Sequence, residues 1–475
     1  MADPLSAAAD AAPRLSQLFS RTHLFATLML GGGISLHAVE TYITATLMPS
    51  IVRDIGGLEF FAWATTLYVA ASVLGSVFVA VRPRGVTLNR CFVLGAVLFG
   101  LGSLVCALAP TMPAVLAGRS VQGLGAGLLV ALGYAFIRYV YPERLWSRAS
   151  TLYAAVWGVA TFLGPTIGGV FAAGSAWREA FALLVPLSAL MAFAAPRLLP
   201  RKDAERIVTG APFPQILLLL AAVMALSFAG SVEGIALRAG LSIAAAASVV
   251  VMLAIEKHAR SRLFPAGTVS LASPLARVYL IMATLLLTIA SDLYIPYFLQ
   301  ELHGVPPLAS GYLVALVALG WTAAAFLTAN ATGRTANRAI LAGTALVGIA
   351  TALLAITLAR PNPAGELPLL LPATVLIFAM GAGVGLGWAH LVTHVLQLAP
   401  EGDKDKASAA ITTMQALGTA FGAALAGVVA NSSGLVEPGG LAGTASAARA
   451  LYLVLALPSL AAIFLTLRLP KPRQG

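Results

Sequence analysis

The chain has 475 residues, of which 59% are hydrophobic and only 10% charged, and its mean hydropathy is +0.91. A soluble domain of this length cannot bury so much apolar surface, so we expect lipid to surround most of the chain. The net charge of +11 would suit a nucleic-acid partner. The basic residues, however, cluster between long apolar stretches on one predicted side, which is typical of membrane topology and excludes that partner.

Fourteen apolar stretches are long enough to cross a bilayer, because a spanning helix needs about 20 residues. They lie at 23–50, 60–81, 91–110, 113–138, 148–173, 178–197, 213–231, 239–255, 277–299, 308–331, 338–359, 367–397, 406–430 and 447–468. Residues 1–22 have no basic segment ahead of a short apolar core, so we interpret them as a cytoplasmic tail and not as a cleaved signal peptide.

Charge asymmetry predicts the orientation of these stretches. If the amino terminus is cytoplasmic, 23 of the 29 Lys and Arg residues fall in cytoplasmic segments, five fall in outer loops, and Arg119 alone lies within a span. This is the positive-inside pattern, and it favours fourteen spans with both termini in the cytoplasm. The Ala-, Arg- and Gly-rich composition is typical of bacteria, so we expect an inner-membrane location.

Two basic loops divide the stretches into groups of six, two and six. We predict a six-helix bundle at 23–197, a linker at 198–212, an inserted hairpin at 213–255, a second linker at 256–276, a second bundle at 277–468 and a tail at 469–475. The basic turns at 75–90 and 333–338 are similar, which indicates a parallel repeat of six-helix halves. The predicted fold is therefore an all-α integral membrane protein with two bundles and an inserted two-helix hairpin.

Of the eighteen acidic residues, only Glu40 and Asp292 lie deep within apolar segments. Charged side chains near the bilayer centre cost about 2.5–3.5 kcal/mol on insertion scales, so they usually serve a function. Two buried carboxyls favour a proton-coupled carrier. Cys91 and Cys106 share one apolar helix and indicate neither a disulfide framework nor a metal site. No catalytic motif is present, so we expect neither an enzyme nor a bound cofactor or metal.

Four segments carry a resemblance to a known family. They are Glu40 with Ile43, Ala45, Thr46, Pro49 and Ile51; Arg119 to Gly127 around Gln122 and Gly123; Gly158 with the string Gly164-Pro165-Thr166-Ile167-Gly168-Gly169; and Trp177, Arg178, Phe181 and Pro186. Together they resemble the major facilitator superfamily, specifically its fourteen-span drug:proton antiporter branch. The third segment is similar to the branch's antiporter motif, although ordinary helix packing at Gly164 and Gly168 is the alternative interpretation.

The resemblance implies that predicted helices 1, 4, 9 and 12 line a central cavity. On those helices we expect Glu40, Asp292 and Arg119 to carry proton coupling. The predicted substrate cavity contains His37, Thr44, Gln122, Tyr294, Trp388, His390 and His394. The predicted gating residues are Gly158, Gly164, Pro165, Gly168 and Gly169.

Each of these residues also has a structural interpretation. Glu40 and Arg119 would form a static ion pair, Asp292 would face a water-filled mouth without a role, and the aromatic residues would pack or face lipid. His390 and His394 have the spacing of a metal pair but lack an evident third ligand. Pro296 cannot donate to the carbonyl of Asp292, so we expect a free carbonyl beside that carboxyl.

Two turns depart from the family pattern. The turn after helix 2 has no acid between Gly75 and Arg90, and the equivalent turn in the second half has Asn337 where Asp is expected. The charge latch that this motif supplies in the family is therefore incomplete.

The predicted function is proton-coupled antiport that exports amphipathic organic compounds or drugs by alternating access, in a protein that works as a monomer. The alternative is a dedicated exporter of one metabolite, siderophore or lipid. Importers, channels and membrane sensors fit less well, because the third segment marks antiporters, the ionisable residues are scattered, and no sizeable soluble domain is present.

Overall fold

The computed structural model describes residues 15–83, 85–201, 212–270 and 272–469. Over these residues the chain forms fourteen long helices and no strand. We label them α1 Leu24–Ile55, α2 Trp63–Val81, α3 Leu88–Ala107, α4 Met112–Val140, α5 Trp146–Ala173, α6 Trp177–Leu198, α7 Phe213–Ser231, α8 Ile235–His258, α9 Pro274–His303, α10 Pro307–Thr328, α11 Gly333–Thr357, α12 Leu367–Leu398, α13 Lys404–Ser432 and α14 Gly440–Thr466.

The predicted fold class is confirmed, since all fourteen helices are long and apolar enough to cross a membrane. Most helices extend beyond the apolar stretch that predicted them. Helix α14, for example, begins at Gly440 and not at residue 447, because its first turns are rich in Gly, Ala and Thr. Helical hydrogen bonds continue past the hydrocarbon region, whereas a hydropathy pattern ends with it. Residues 1–14, 202–211 and 470–475 of the predicted tails and first linker lie outside the described residues.

Helix α9 is not a continuous α-helix. It consists of an α-helix Pro274–Ile289, a 3-10 segment Ala290–Tyr294 and a second α-helix Ile295–His303. Asp292 lies in the 3-10 segment, and the N–H of Ile295 donates to its carbonyl. The prediction of a free carbonyl at Asp292 is therefore wrong, because in the tighter 3-10 turn the donor is Ile295, one residue before Pro296.

Helices α1–α6 and α9–α14 pack as two bundles, which meet through α5 against α10 and α2 against α13. We call the side that holds the turn at residues 56–62 the loop-1 side, and the opposite side, near residues 15–23 and 467–469, the terminal side. Polar contacts join the bundles at the loop-1 side. The guanidinium of Arg53 donates to Gln300 over 2.6 Å, and the hydroxyls of Thr166 and Tyr312 are 2.6 Å apart.

The inserted hairpin α7–α8 lies along the seam between α2 and α13. Its contact with α13 is close, because Gly230 faces the backbone of Val428. The amide of Asn431 on α13 donates to the carbonyls of Gly230 (2.9 Å) and Glu59 (2.8 Å). The indole N–H of Trp63 donates to Ser231 over 2.7 Å. The hairpin is thus bonded to both bundles at the loop-1 side.

Residues 259–270, which we call the strap, connect this hairpin to the second bundle. Glu256 near the end of α8 is 1% exposed. Its carboxylate accepts the backbone N–H groups of Leu263 (3.1 Å) and Phe264 (2.7 Å) and the amide of Gln215 (3.1 Å). A buried carboxylate with three donors is well satisfied, so Glu256 anchors the start of the strap.

The other end of the strap is bonded to α13. The backbone N–H of Ala266 donates to Asp403 over 2.8 Å, and this bond, together with the hydrogen bond from Lys406, lowers the pKa of the Asp403 carboxyl. The carboxylate is therefore charged at neutral pH, and its stabilising effect is lost only when the pH falls through that lowered pKa. Between the anchors, Leu263 packs into apolar clusters that contain side chains of α2, α7 and α13.

We expect Glu256→Ala to lower the thermal stability of the protein. The substitution leaves two backbone N–H groups without an acceptor, at a cost of about 1–3 kcal/mol for each buried group. Unfolding can be followed in detergent by the reaction of a thiol dye with Cys91 and Cys106, which are both buried. Glu233→Ala, at an exposed residue of the α7–α8 turn, is the control. Equal midpoints for the two variants would contradict the anchoring role of Glu256.

Candidate transport site

The centre of the first bundle contains a buried ion pair between α1 and α4. Arg119 Nη1 donates to Glu40 Oε1 and, over 2.5 Å, to Gln122 Oε1, while Arg119 Nε donates to the carbonyl of Ala64 over 3.3 Å. The side chains of Glu40 and Arg119 are 0% and 2% exposed. Arg119 and Gln122 are three residues apart, so they share one face of α4 as predicted.

Neighbouring polar side chains complete this network. Thr44 Oγ1 donates to Glu40 Oε1 over 2.5 Å, one helical turn along α1. The amide of Gln122 donates to Ser103 on α3 over 2.9 Å, and Ser103 donates to the carbonyl of Phe99. The pair is therefore held by four helices, α1 to α4, and its geometry leaves Arg119 little rotational freedom.

Tyr68 on α2 is a member of this site that the sequence did not single out. The guanidinium carbon of Arg119 lies 4.0 Å from the centre of the Tyr68 ring, within the range of a cation–π interaction. The Tyr68 hydroxyl and His37 Nδ1 are 2.6 Å apart and share a hydrogen bond. His37 thus joins the site through Tyr68. A tyrosine in the middle of an apolar helix was the available signal, but α2 was not among the predicted cavity helices.

The second oxygen of Glu40 has no hydrogen-bond partner among the described residues and is buried. One carboxylate oxygen therefore takes the whole of the arginine contact and the threonine contact, and the other takes none. An unpartnered charged oxygen in a low-dielectric site is unfavourable, whereas a protonated oxygen there is neutral. The two oxygens of the Glu40 carboxyl therefore have different surroundings.

Asp292 lies apart from this pair. Within the described residues it makes no ion pair, and no hydrogen bond joins it to Glu40 or Arg119. The tyrosines in electrostatic reach of its carboxyl are Tyr42 on α1 and Tyr452 on α14. The Tyr452 hydroxyl is itself buried without a partner. Asp292 is thus a second, separate polar centre, on the face of α9 that meets α1 and α14.

The histidines of α12 do not join either centre. His394 Nε2 is 2.9 Å from the side-chain oxygen of Asn337 on α11. This hydrogen bond joins α12 to the start of α11, where Asn337 replaces the Asp of the family pattern. His390 is 8% exposed, and its Nε2 is buried without a partner. Trp388 packs at 5.5 Å against Trp321. No group of three metal-ligating side chains occurs in the part of the chain that the structure describes.

Tyr294 lies in a buried aromatic cluster at the loop-1 side. Its ring is 4.8 Å from that of Phe61 on the first bundle and 5.7 Å from that of Phe298. Tyr297 also contacts Phe61, at 5.4 Å. In this conformation Tyr294 is 1% exposed and packs between the bundles at the loop-1 side.

The glycines of α5 allow two helices to approach at once. A Cβ atom on Gly164 would collide with Tyr42 Cβ, and one on Gly168 would lie 3.0 Å from Thr46 Cβ, both on α1. On another face, a Cβ atom on Gly169 would lie 2.5 Å from Leu308 Cα on α10. Next to it, Pro165 packs against Gly311.

The same test separates Gly158 from the other glycines of the motif. Nothing lies within 4 Å of a Cβ atom built on Gly158, and the residue is exposed. The close helix contacts of the motif therefore lie in the Gly-Pro string, which starts six residues after Gly158.

Comparison with known proteins identifies the architecture. A profile described as Major Facilitator Superfamily matches residues 30–371 and 278–475. The chain belongs to the Major Facilitator Superfamily. It is therefore a multi-pass membrane transporter, and the resemblance of its helix motifs to this superfamily is confirmed.

Several curated relatives are named as efflux proteins. A protein named as a probable multidrug-efflux transporter of Mycobacterium tuberculosis is 36% identical over 449 residues, which cover 92% of each chain. The multidrug efflux pump SdrM of Staphylococcus aureus is 24% identical over 290 residues, which cover 60% of this chain and 64% of the pump.

Two solved transporter structures show the same fold. A D-xylose-proton symporter superposes with a TM-score of 0.63 at 15% identity, over 95% of this chain and 98% of the other. An auto-inhibited peptide transporter of the POT family gives 0.65 at 15% identity, over 94% and 97%.

We expect Gly164→Ala to lower the thermal midpoint and the transport rate, and Gly158→Ala to leave both unchanged. The first substitution places a methyl group against the fixed Cβ of Tyr42, and overpacking of this kind costs about 1–3 kcal/mol. The second places it in open space. The thermal midpoint and the transport rate of both variants would be measured side by side. Equal losses in the two variants would contradict the packing role of the Gly-Pro string.

Proposed function

We propose that the protein is a proton-coupled antiporter that exports amphipathic organic compounds across the bacterial inner membrane. The observation that carries this proposal is the buried carboxyl of Glu40, with one oxygen held by Arg119 and the other without a partner. The relatives named for multidrug efflux support the direction and the class of substrate.

In this mechanism Glu40 binds and releases the transported proton. When Glu40 is charged, its ion pair with Arg119 joins α1 and α4 and is stable because both charges are compensated. Protonation removes the negative charge, and Arg119 then keeps Gln122 and the Ala64 carbonyl as acceptors. The arginine thus remains satisfied in both states, and protonation alters mainly the interaction between α1 and α4.

The available driving force is sufficient for export. One proton that crosses a potential of about 150 mV supplies roughly 3.5 kcal/mol. This energy supports a substrate gradient of a few hundred-fold, since each 1.36 kcal/mol corresponds to a factor of ten.

Asp292 is the proposed substrate-facing or second protonatable group. It has no cation beside it among the described residues, and Tyr42 and Tyr452 offer aromatic surface nearby. A free carboxylate beside aromatic rings suits an amphipathic cation. His37 and Trp388, together with His390 and His394, are proposed to contact substrate in other states of the cycle.

We assign the terminal side to the cytoplasm, because most basic residues lie there. The bundles are packed together at the loop-1 side through the aromatic cluster and the contact of α5 with α10. In this orientation the conformation is closed at the outer side. A single chain contains every proposed site, so a monomer suffices for transport.

The first test is efflux of ethidium from everted vesicles or proteoliposomes under an imposed pH gradient. We expect Glu40→Gln to abolish gradient-driven transport, because an amide cannot exchange the proton. Glu40→Asp keeps a titratable group and is expected to retain part of the activity. Glu233→Gln, in the exposed α7–α8 turn, is expected to transport like the unaltered protein.

The outcomes separate the alternatives. Full activity of a correctly inserted Glu40→Gln variant would reduce the Glu40–Arg119 pair to a static structural contact, and Asp292→Asn would then be the next variant to test. Absence of ethidium movement in the unaltered protein would favour a dedicated exporter of one compound.

A second test concerns the conformational cycle. A Cβ atom on Gly427 would lie 3.0 Å from Ala62 Cβ across the bundle interface at the loop-1 side. A disulfide between Ala62→Cys and Gly427→Cys, with Cys91 and Cys106 replaced by Ala, should lock that side shut and stop transport. Reduction should restore activity, and each single cysteine variant is the control. Transport by the oxidised double variant would contradict the assigned gate.

A further inference from the structure

A groove of about 570 Å³ lies on the outer surface of the first bundle, at the terminal side between α3 and α6. It is separate from the Glu40–Arg119 site, which is buried at the centre of the bundle. Asn89 fixes the spacing of the two helices beside the groove, because its amide donates to the carbonyls of Ala195 and Leu199 over 2.8 Å each. These bonds hold the first turn of α3 against the end of α6.

The end of the groove nearest the terminal side is basic. Arg90 and Arg201 both line it and are both exposed, and the lining residues that the structure describes include no carboxylate. Thr87, the N-cap of α3, also lines this end, and its hydroxyl accepts the N–H of Arg90. The positive end of the α3 dipole adds to the charge of the two arginines.

The rest of the groove is apolar and faces lipid. Val93, Leu94 and Val97 follow Arg90 along α3 and face Pro196 of α6. Leu94 and Val97 are 40% and 41% exposed, as expected for side chains that contact hydrocarbon. At 1.5 Å per residue the wall extends roughly 10 Å from Arg90 toward the membrane centre.

We propose that this groove binds an anionic glycerophospholipid of the cytoplasmic leaflet, with its phosphate between Arg90 and Arg201 and one acyl chain along Val93, Leu94 and Val97. Charge complementarity selects the anionic head group, because two cations and no acid are found among the described residues of the polar end. Basic pockets between membrane helices on the cytoplasmic side are suited to such head groups. The apolar wall favours a lipid, because a soluble anion would make no contact with Val93, Leu94 and Val97.

The test is native mass spectrometry of the delipidated full-length protein, titrated with dioleoyl-phosphatidylglycerol or dioleoyl-phosphatidylcholine. We expect one tightly bound phosphatidylglycerol and weaker phosphatidylcholine. The double variant Arg90→Gln/Arg201→Gln should bind phosphatidylglycerol about thirty-fold more weakly, since each basic residue near the surface contributes about five-fold.

The chain offers a matched control in its second bundle. Arg334→Gln/Arg338→Gln removes the same charge from the equivalent turn, since Thr335-Ala336-Asn337-Arg338 repeats the pattern of Thr87-Leu88-Asn89-Arg90. We expect this variant to keep the tightly bound lipid. An equal loss in the control would overturn the proposal, because the effect would then be one of net charge.

A neutral variant tests the acyl contact while both arginines remain. Val97→Trp fills the wall and should remove the bound phosphatidylglycerol without lowering the thermal midpoint. Unchanged binding in this variant, or full displacement of the lipid by millimolar inorganic phosphate, would overturn the assignment in favour of a free-anion site.

Discussion

The ion pair between Glu40 and Arg119 is the contact on which the polar interior of the first bundle depends. Hydrocarbon offers no hydrogen-bond partner, so each charge within a span must be compensated by the protein. Arg119 donates hydrogen bonds to residues of α1, α2 and its own helix, and its guanidinium lies over the ring of Tyr68. Loss of one member of such a pair typically costs about 3–5 kcal/mol, because the other charge is left buried.

The same constraint accounts for the contrast between the two carboxyls. Glu40 is compensated on one oxygen and bare on the other, whereas Asp292 lies in a 3-10 segment without a cation beside it among the described residues. Arg119 compensates the charge of Glu40 within the first bundle. Asp292 belongs to the second bundle, so the two carboxyls to which we assign roles in the proposed function lie in different halves of the protein.

Small residues and the inserted hairpin define how the bundles meet. Gly164, Gly168 and Gly169 allow α5 to contact α1 and α10 at van der Waals distance. Helices α7 and α8 lie along the other seam, between α2 and α13, and the strap bonds them to α13 through Ala266 and Asp403. The strap thus bonds the hairpin to the second bundle at the terminal side, and the hairpin contacts both bundles at the loop-1 side.

The sequence by itself determined the fourteen spans, their charge asymmetry, and the shared faces of Glu40 with Thr44 and of Arg119 with Gln122, because hydropathy and helical period are local properties of the chain. Motif spacing indicated the family, and the resemblance to that family in turn predicted that Glu40 and Arg119 lie near each other. Only the tertiary structure decided that Tyr68 completes the arginine site and that Asp292 lies apart from Glu40. It also decided that Tyr294 packs in the aromatic cluster at the loop-1 side and that the carbonyl of Asp292 accepts a hydrogen bond within a 3-10 turn. These features depend on which helix faces which and on local changes of helical pitch, and neither is written in the periodicity of a single segment.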